Sequence, residues 1–246
     1  MTENATSCSG IGDIPEDLAR FLALIICSVA SVFLVAVLIE VPYDEGRYRT
    51  EFAKTFIDWF HPNREGGGSA WVGSMFLAGC GFGLIITGGL IRSSGQEHWQ
   101  SWITLAGVLF FASLDESLEI HENFGWAVVS ALKLESSSFN HFLCWAITYI
   151  VVLGSIALNN LNAIRKLPRV TIQGAILAAT IFLVGAVGLD LLQSIWQDYQ
   201  GSDGYVMNIM VLIEETMELA GCGIFIHTVA SHLVNHVLPS AWQPGT

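Results

Sequence analysis

The chain has 246 residues, 52% of them hydrophobic and only 13% charged, about half the charged share of an ordinary soluble domain. Mean hydropathy is +0.55, and acidic residues outnumber basic ones 22 to 10, for a net charge of −12. This composition argues against a soluble enzyme and a disordered chain, and with no Lys/Arg-rich patch to hold phosphates it argues against nucleic acid as a partner.

The N-terminus is acidic (Glu3, Asp13, Glu16, Asp17) and lacks the basic leader of a signal peptide, so the first apolar run is expected to stay as an anchor. Asn4-Ala5-Thr6 fits a glycosylation sequon. Six stretches are long enough to cross a bilayer, which takes about 20 residues each: residues 21–40, 70–91, 99–122, 142–158, 170–196 and 205–230. In lipid every span must satisfy its own backbone, so these are helices. No proline falls inside a span, and none is expected to kink. The third span is expected to end at Asn123-Phe124-Gly125, a C-cap sequence. The expected fold is therefore all-α: a polytopic integral membrane protein of six transmembrane helices. Residues 1–20 form an N-terminal tail, 21–230 a single transmembrane domain, and 231–246 a C-terminal tail.

One connection is long. Between residues 43 and 69, Tyr48, Phe52, Phe56 and Trp59/Phe60 recur at helical spacing opposite Arg47, Glu51, Lys54 and Asp58. That pattern predicts an amphipathic helix on the membrane surface, followed by a Gly66-Gly67-Gly68 hinge. Glycines at 73, 79, 81, 83, 88 and 89 of the second span suit close helix packing. Arg20, Arg92, Arg165, Lys166 and Arg169 fall on one side of a six-span topology, and Arg47, Arg49, Lys54, Arg64 and Lys133 on the other. The first set adjoins short loops, which favours both termini in the cytoplasm of a bacterial inner membrane. The five cysteines (Cys8, Cys27, Cys80, Cys144, Cys222) form no CxxC pair, and the four within spans read as small core residues.

The functional signal is acid at membrane depth. The third span carries Asp115, Glu116, Glu119 and Glu122, the fifth Asp190, and the sixth Glu214, Glu215 and Glu218. Each costs roughly 2.5–3.5 kcal/mol even on a lenient insertion scale, and no Lys or Arg lies inside a span to offset it. At about 1.5 Å per residue, all three groups fall in the same half of the bilayer, with His141 at its mouth. Asp115, Glu119 and Glu122 share a stripe if the helix is continuous, while His121 projects about 160° away from Glu119 and reads as structural, like His227. Residues 114–119 and 213–218 match class by class (apolar, acid, Glu, hydroxyl, apolar, Glu), which suggests a 3+3 inverted repeat.

Crowded carboxylates repel unless they share protons or bind cations. An oxygen-rich set with few histidines suits a divalent Fe, Mn, Mg or Ca ion. These eight acids are therefore the candidate metal ligands. The arrangement resembles in outline the di-iron carboxylate bundles, but departs from their Glu-x-x-His pattern: Glu122 follows Glu119 at that spacing and Gly221 follows Glu218. Three functions fit: a metal-dependent enzyme acting on a lipid or other apolar substrate, with no catalytic residue assigned; a cation or proton transporter using the same carboxylates; and an accessory subunit of a larger membrane complex, with the bilayer and membrane proteins as partners.

Overall fold

A computed structural model describes residues 14–44, 50–62, 67–201 and 204–241. Asn4, Cys8, Arg47, Tyr48, Arg49, Arg64 and Gly66 lie outside the described residues. All regular structure among the described residues is helical: α1 (Ile14–Asp44), α2 (Glu51–Phe60), α3 (Gly68–Ser93), α4 (Trp99–Leu118), α5 (Ile120–Leu132), α6 (Ser138–Asn159), α7 (Leu161–Arg165), α8 (Arg169–Leu183), α9 (Asp190–Gln200), α10 (Tyr205–His232) and α11 (Leu238–Ala241). Wide π-helical turns join α8 to α9 (Val184–Leu189) and α10 to α11 (Leu233–Val237).

Among the described residues five segments are long and apolar enough to cross a membrane: Pro15–Glu40, Gly68–Ser93, Trp99–Leu118, Ser138–Asn159 and Arg169–Gln200. α10 has comparable length, 28 residues, but carries three glutamates, Glu214, Glu215 and Glu218, within five residues. Contacts at the helix ends fix the directions. At one end Glu40 of α1 meets His61, which follows α2, at 2.9 Å, and accepts from Asn208 of α10 at 2.5 Å. At the same end, before the short connection from α9 to α10, Asp198 of α9 accepts from the Ser138 and Phe139 N–H groups that open α6, at 2.7 and 3.0 Å. At the other end Lys166 reaches Glu97 at 3.3 Å and His98 at 2.6 Å, and Thr171 of α8 meets His232 of α10 at 3.1 Å. Successive long helices thus run antiparallel.

Lipid gives helices no hydrophobic reason to associate, so the interfaces use small residues that admit a neighbour's side chain. In α3, a Cβ at Gly81 would lie 3.1 Å from the Phe110 ring, and one at Gly88 only 2.9 Å from Trp102 Cβ. Ser74 and Ser113 lock α3 to α4, each hydroxyl within 2.9 Å of the other residue's carbonyl. Gly89, by contrast, faces open space, so only part of the glycine series serves packing. On the other side of the bundle, Gly174 and Gly221 let α8 and α10 approach to Thr228 and to the Phe182 backbone. α1 closes on α10 through Phe33, Leu212 and Leu219.

α2 is the amphipathic helix expected in the long connection, capped by Thr50, whose hydroxyl accepts from Ala53 N–H at 3.1 Å. Ala53 and Ile57 are its buried residues, while Phe52 and Trp59 are exposed. Gly68 is not a free hinge: it opens α3 so close to the Trp59 carbonyl that a Cβ there would sit 2.5 Å away.

Two expectations about the third span fail. The third span does not run through to Glu122, because Glu119 adopts a left-handed conformation (φ 52°, ψ 40°), ends α4 and starts α5 on a new axis. Gly125, expected as a C-cap, lies inside α5 beneath His141. The fifth span is not uniformly α-helical either; a π turn interrupts it immediately before Asp190, without proline. The matching hexapeptides also part company: residues 114–119 end a helix, whereas 213–218 continue through α10.

Candidate functional site

The break at Glu119 organises one side of the site. A helix that ends and restarts leaves backbone N–H groups without intrahelical partners. Asp115, one turn earlier and 8% exposed, supplies the acceptor. Its Oδ1 takes the His121 backbone N–H at 2.7 Å and the Tyr149 hydroxyl at 3.0 Å, and its Oδ2 meets His121 Nδ1 at 3.1 Å. His121 lies edge-on to Trp145, with ring centroids 5.0 Å apart. The histidine read as structural and pointing away is therefore bound to Asp115, because α5 does not continue the axis of α4. The continuous Asp115/Glu119/Glu122 stripe does not form, for the same reason.

Glu116, next along α4, sits against α3, within 3.0 Å of where a Gly73 Cβ would be. It lies in the electrostatic field of His121, Asp115 and Glu122. Facing it, α10 presents Glu214, Glu215 and Glu218. Glu218 feels Glu116, Glu215, Glu214 and Asp190, and Glu214 feels Asp190, Glu116 and His121. Gln193 of α9 donates to Glu214 Oε2. The π turn lets this happen: Gly185 stands 3.1 Å from the Glu214 carbonyl and 3.4 Å from Glu218 Cγ, measured from an ideal Cβ. Turns of this kind are frequent at functional sites.

Acids from α4, α9 and α10 thus share one electrostatic neighbourhood. Asp115, Glu116, Glu122, Asp190, Glu214, Glu215 and Glu218 belong to it, and His121 couples its two sides. Glu119 is placed by its backbone, whose carbonyl accepts from Asn123 at 2.8 Å. His141 does stand at the edge, its Nε2 2.9 Å from the Glu122 carbonyl and its ring stacked 4.5 Å from Trp126. Neither α4, α5, α9 nor α10 contains a Lys or Arg. Among the described residues no three or more His, Cys, Asp or Glu side chains are grouped so as to hold a metal ion. Acids crowded in this way can share protons or take up a cation.

Beside Tyr149 lies a cavity of about 520 Å³ between α4, α5 and α6, lined by apolar side chains that include Val108, Phe111, Phe124 and Val152. Residues 21–233 match the family described as a domain of unknown function (DUF8692). The chain belongs to that family. No curated protein and no solved structure shows significant similarity to this DUF8692 chain.

Proposed function

We propose that this DUF8692 protein is a proton-handling membrane protein, in which the carboxylates of α4, α9 and α10 bind and pass protons within the bilayer. One observation carries the reading: Glu218 shares its surroundings with Glu116, Glu214, Glu215 and Asp190, on helices that contain no Lys or Arg. Such a set cannot hold all its negative charges at once in a medium of low dielectric. Shared protons relieve the repulsion without a counter-ion, and their exchange gives a path. His121 is the one titratable base in the set, and it links the acids to Asp115 and Tyr149.

The topology that goes with this reading has α10 as a sixth span, with both termini on the cytoplasmic side of a bacterial inner membrane. The end-to-end contacts support six crossings: α10 runs from Asn208, beside Glu40, to His232, beside Thr171. Arg92, Arg165, Lys166 and Arg169 near the short connections support that side as cytoplasmic. An inverted repeat relating α4 to α10 rests on the matching hexapeptides alone.

The test is reconstitution in vesicles containing a pH-sensitive dye, with an imposed membrane potential. The wild-type protein should acidify or alkalinise the lumen according to the sign of the potential, and Glu218→Gln should abolish the flux. Absence of potential-driven proton movement by folded wild-type protein would overturn the reading. Elemental analysis of the same preparation decides the alternative: a stoichiometric Fe, Mn, Mg or Ca ion lost in Glu218→Gln would return the carboxylates to metal binding, and with it the enzymatic role on an apolar substrate.

A further inference from the structure

The cavity beside Tyr149 is a second site with its own chemistry. Its volume of about 520 Å³ lies within the roughly 300–1,000 Å³ range of small-molecule pockets. Its wall includes Thr104 and Gly107 of α4, Phe124 of α5, and Thr148 and Tyr149 of α6. α4 belongs to the spans, and so does α6, so an occupant would come from the membrane phase. The outer surface nearby is apolar, with Ile147, Ile150 and Val151 of α6 more than half exposed.

The wall holds three hydroxyls, and two of them, on α6, are already spent as donors, while Thr104 of α4 keeps its proton to give. The Tyr149 hydroxyl gives its proton to Asp115 Oδ1 at 3.0 Å. The Thr148 hydroxyl gives its proton to the Cys144 carbonyl at 3.0 Å. A hydroxyl whose proton is committed keeps acceptor lone pairs. The complementary head group therefore donates to the α6 hydroxyls and can accept from Thr104, and the smallest uncharged group on a hydrocarbon molecule that does both is a hydroxyl. Asp115, tied also to the His121 N–H, holds the tyrosine in that orientation.

We infer that the cavity between α4, α5 and α6 binds a membrane-dissolved hydrocarbon molecule ending in a hydroxyl group, with Tyr149 and Thr148 accepting its hydrogen bond. The site borders the carboxylate cluster through the Tyr149–Asp115 bond, while Glu218, which carries the proton reading, does not line it.

The probes are a long-chain alcohol and the corresponding alkane, each carrying the same photoactivatable diazirine in the chain, applied to the full-length protein in lipid nanodiscs. The alcohol should label the wall residues of α4 and α6 more strongly than the alkane does. Tyr149→Phe removes the acceptor and keeps the ring, and should lower alcohol labelling about threefold to tenfold, the worth of one hydrogen bond, without changing alkane labelling. Thr148→Val should act in the same direction. Gly107→Leu, at a position where a Cβ meets nothing within 4 Å, fills the cavity and should suppress both probes. Glu218→Gln should leave labelling intact even where it stops proton flux, so that failure of the two readings can be told apart. Equal labelling by alcohol and alkane identifies lipid solvation only, and overturns the inference. Labelling unchanged by both Tyr149→Phe and Gly107→Leu overturns it as well.

Discussion

Replacing Asp115 removes, at a stroke, the acceptor for the His121 N–H, the His121 ring and the Tyr149 hydroxyl. Two of these donors would be stranded away from water, so Asp115→Ala should destabilise the protein by about 2–4 kcal/mol. Asp115→Asn keeps one acceptor oxygen and should lose less. Unfolding of both variants in detergent would measure the difference, and equal stability of Asp115→Ala and wild type would show that the α4–α5 break does not depend on this carboxylate. The eight acids were legible in the sequence because charge at membrane depth stands out against apolar surroundings. His121 and Tyr149 were not legible as partners of Asp115. Their meeting depends on a left-handed residue at Glu119, and nothing local marks a glutamate for that conformation, which glycine and asparagine adopt far more readily. Nor did Glu40, His61 and Asn208 announce themselves, since the three come together from α1, the end of α2 and α10 only once the bundle has folded.

At the scale of elements, apolar length located the five clear spans, and aromatic spacing located α2. Sequence periodicity did not locate the interruptions. A π turn such as Val184–Leu189 leaves composition unchanged while rotating the helix beyond it, and here it comes immediately before Asp190. The glycines show the same limit from another side. Counting them suggests close packing, but only the structure separates those that are needed from those that are not. At Gly221 a Cβ would meet the Phe182 amide nitrogen at 2.9 Å and the Ala178 carbonyl at 3.0 Å, both backbone atoms that cannot step aside. Gly221→Ala should therefore force α8 and α10 apart and cost about 1–3 kcal/mol, as overpacking does. Gly154 has nothing within 4 Å of its Cβ position, so Gly154→Ala should be neutral or stabilising by up to about 1 kcal/mol through helix propensity. Thermal unfolding of the two variants side by side separates these effects, and similar melting of both would show that the α8–α10 approach is looser than the Cβ distances imply.

For the whole molecule, the question is whether α10 crosses with the other helices despite its glutamates. Hydropathy alone does not decide it, because three glutamates interrupt an otherwise apolar helix. The packing favours crossing: α10 lies between α1, through Phe33, Leu212 and Leu219, and α8, through Gly221. That position keeps the glutamates facing protein and away from lipid chains, the condition under which ionisable residues are tolerated at depth. A six-crossing arrangement places the loop before α4 and the residues after α10 on one side, with the loop before α6 on the other. Single cysteines at Ser94, Ser136 and Asn235 test this in a chain whose five native cysteines are replaced by Ser. With a membrane-impermeant thiol reagent on intact cells, Ser94→Cys and Asn235→Cys should share one reactivity and Ser136→Cys should show the opposite. If Asn235→Cys matches Ser136→Cys instead, α10 does not span, and the acids of α4 and α10 would have to meet at a membrane surface and not within it.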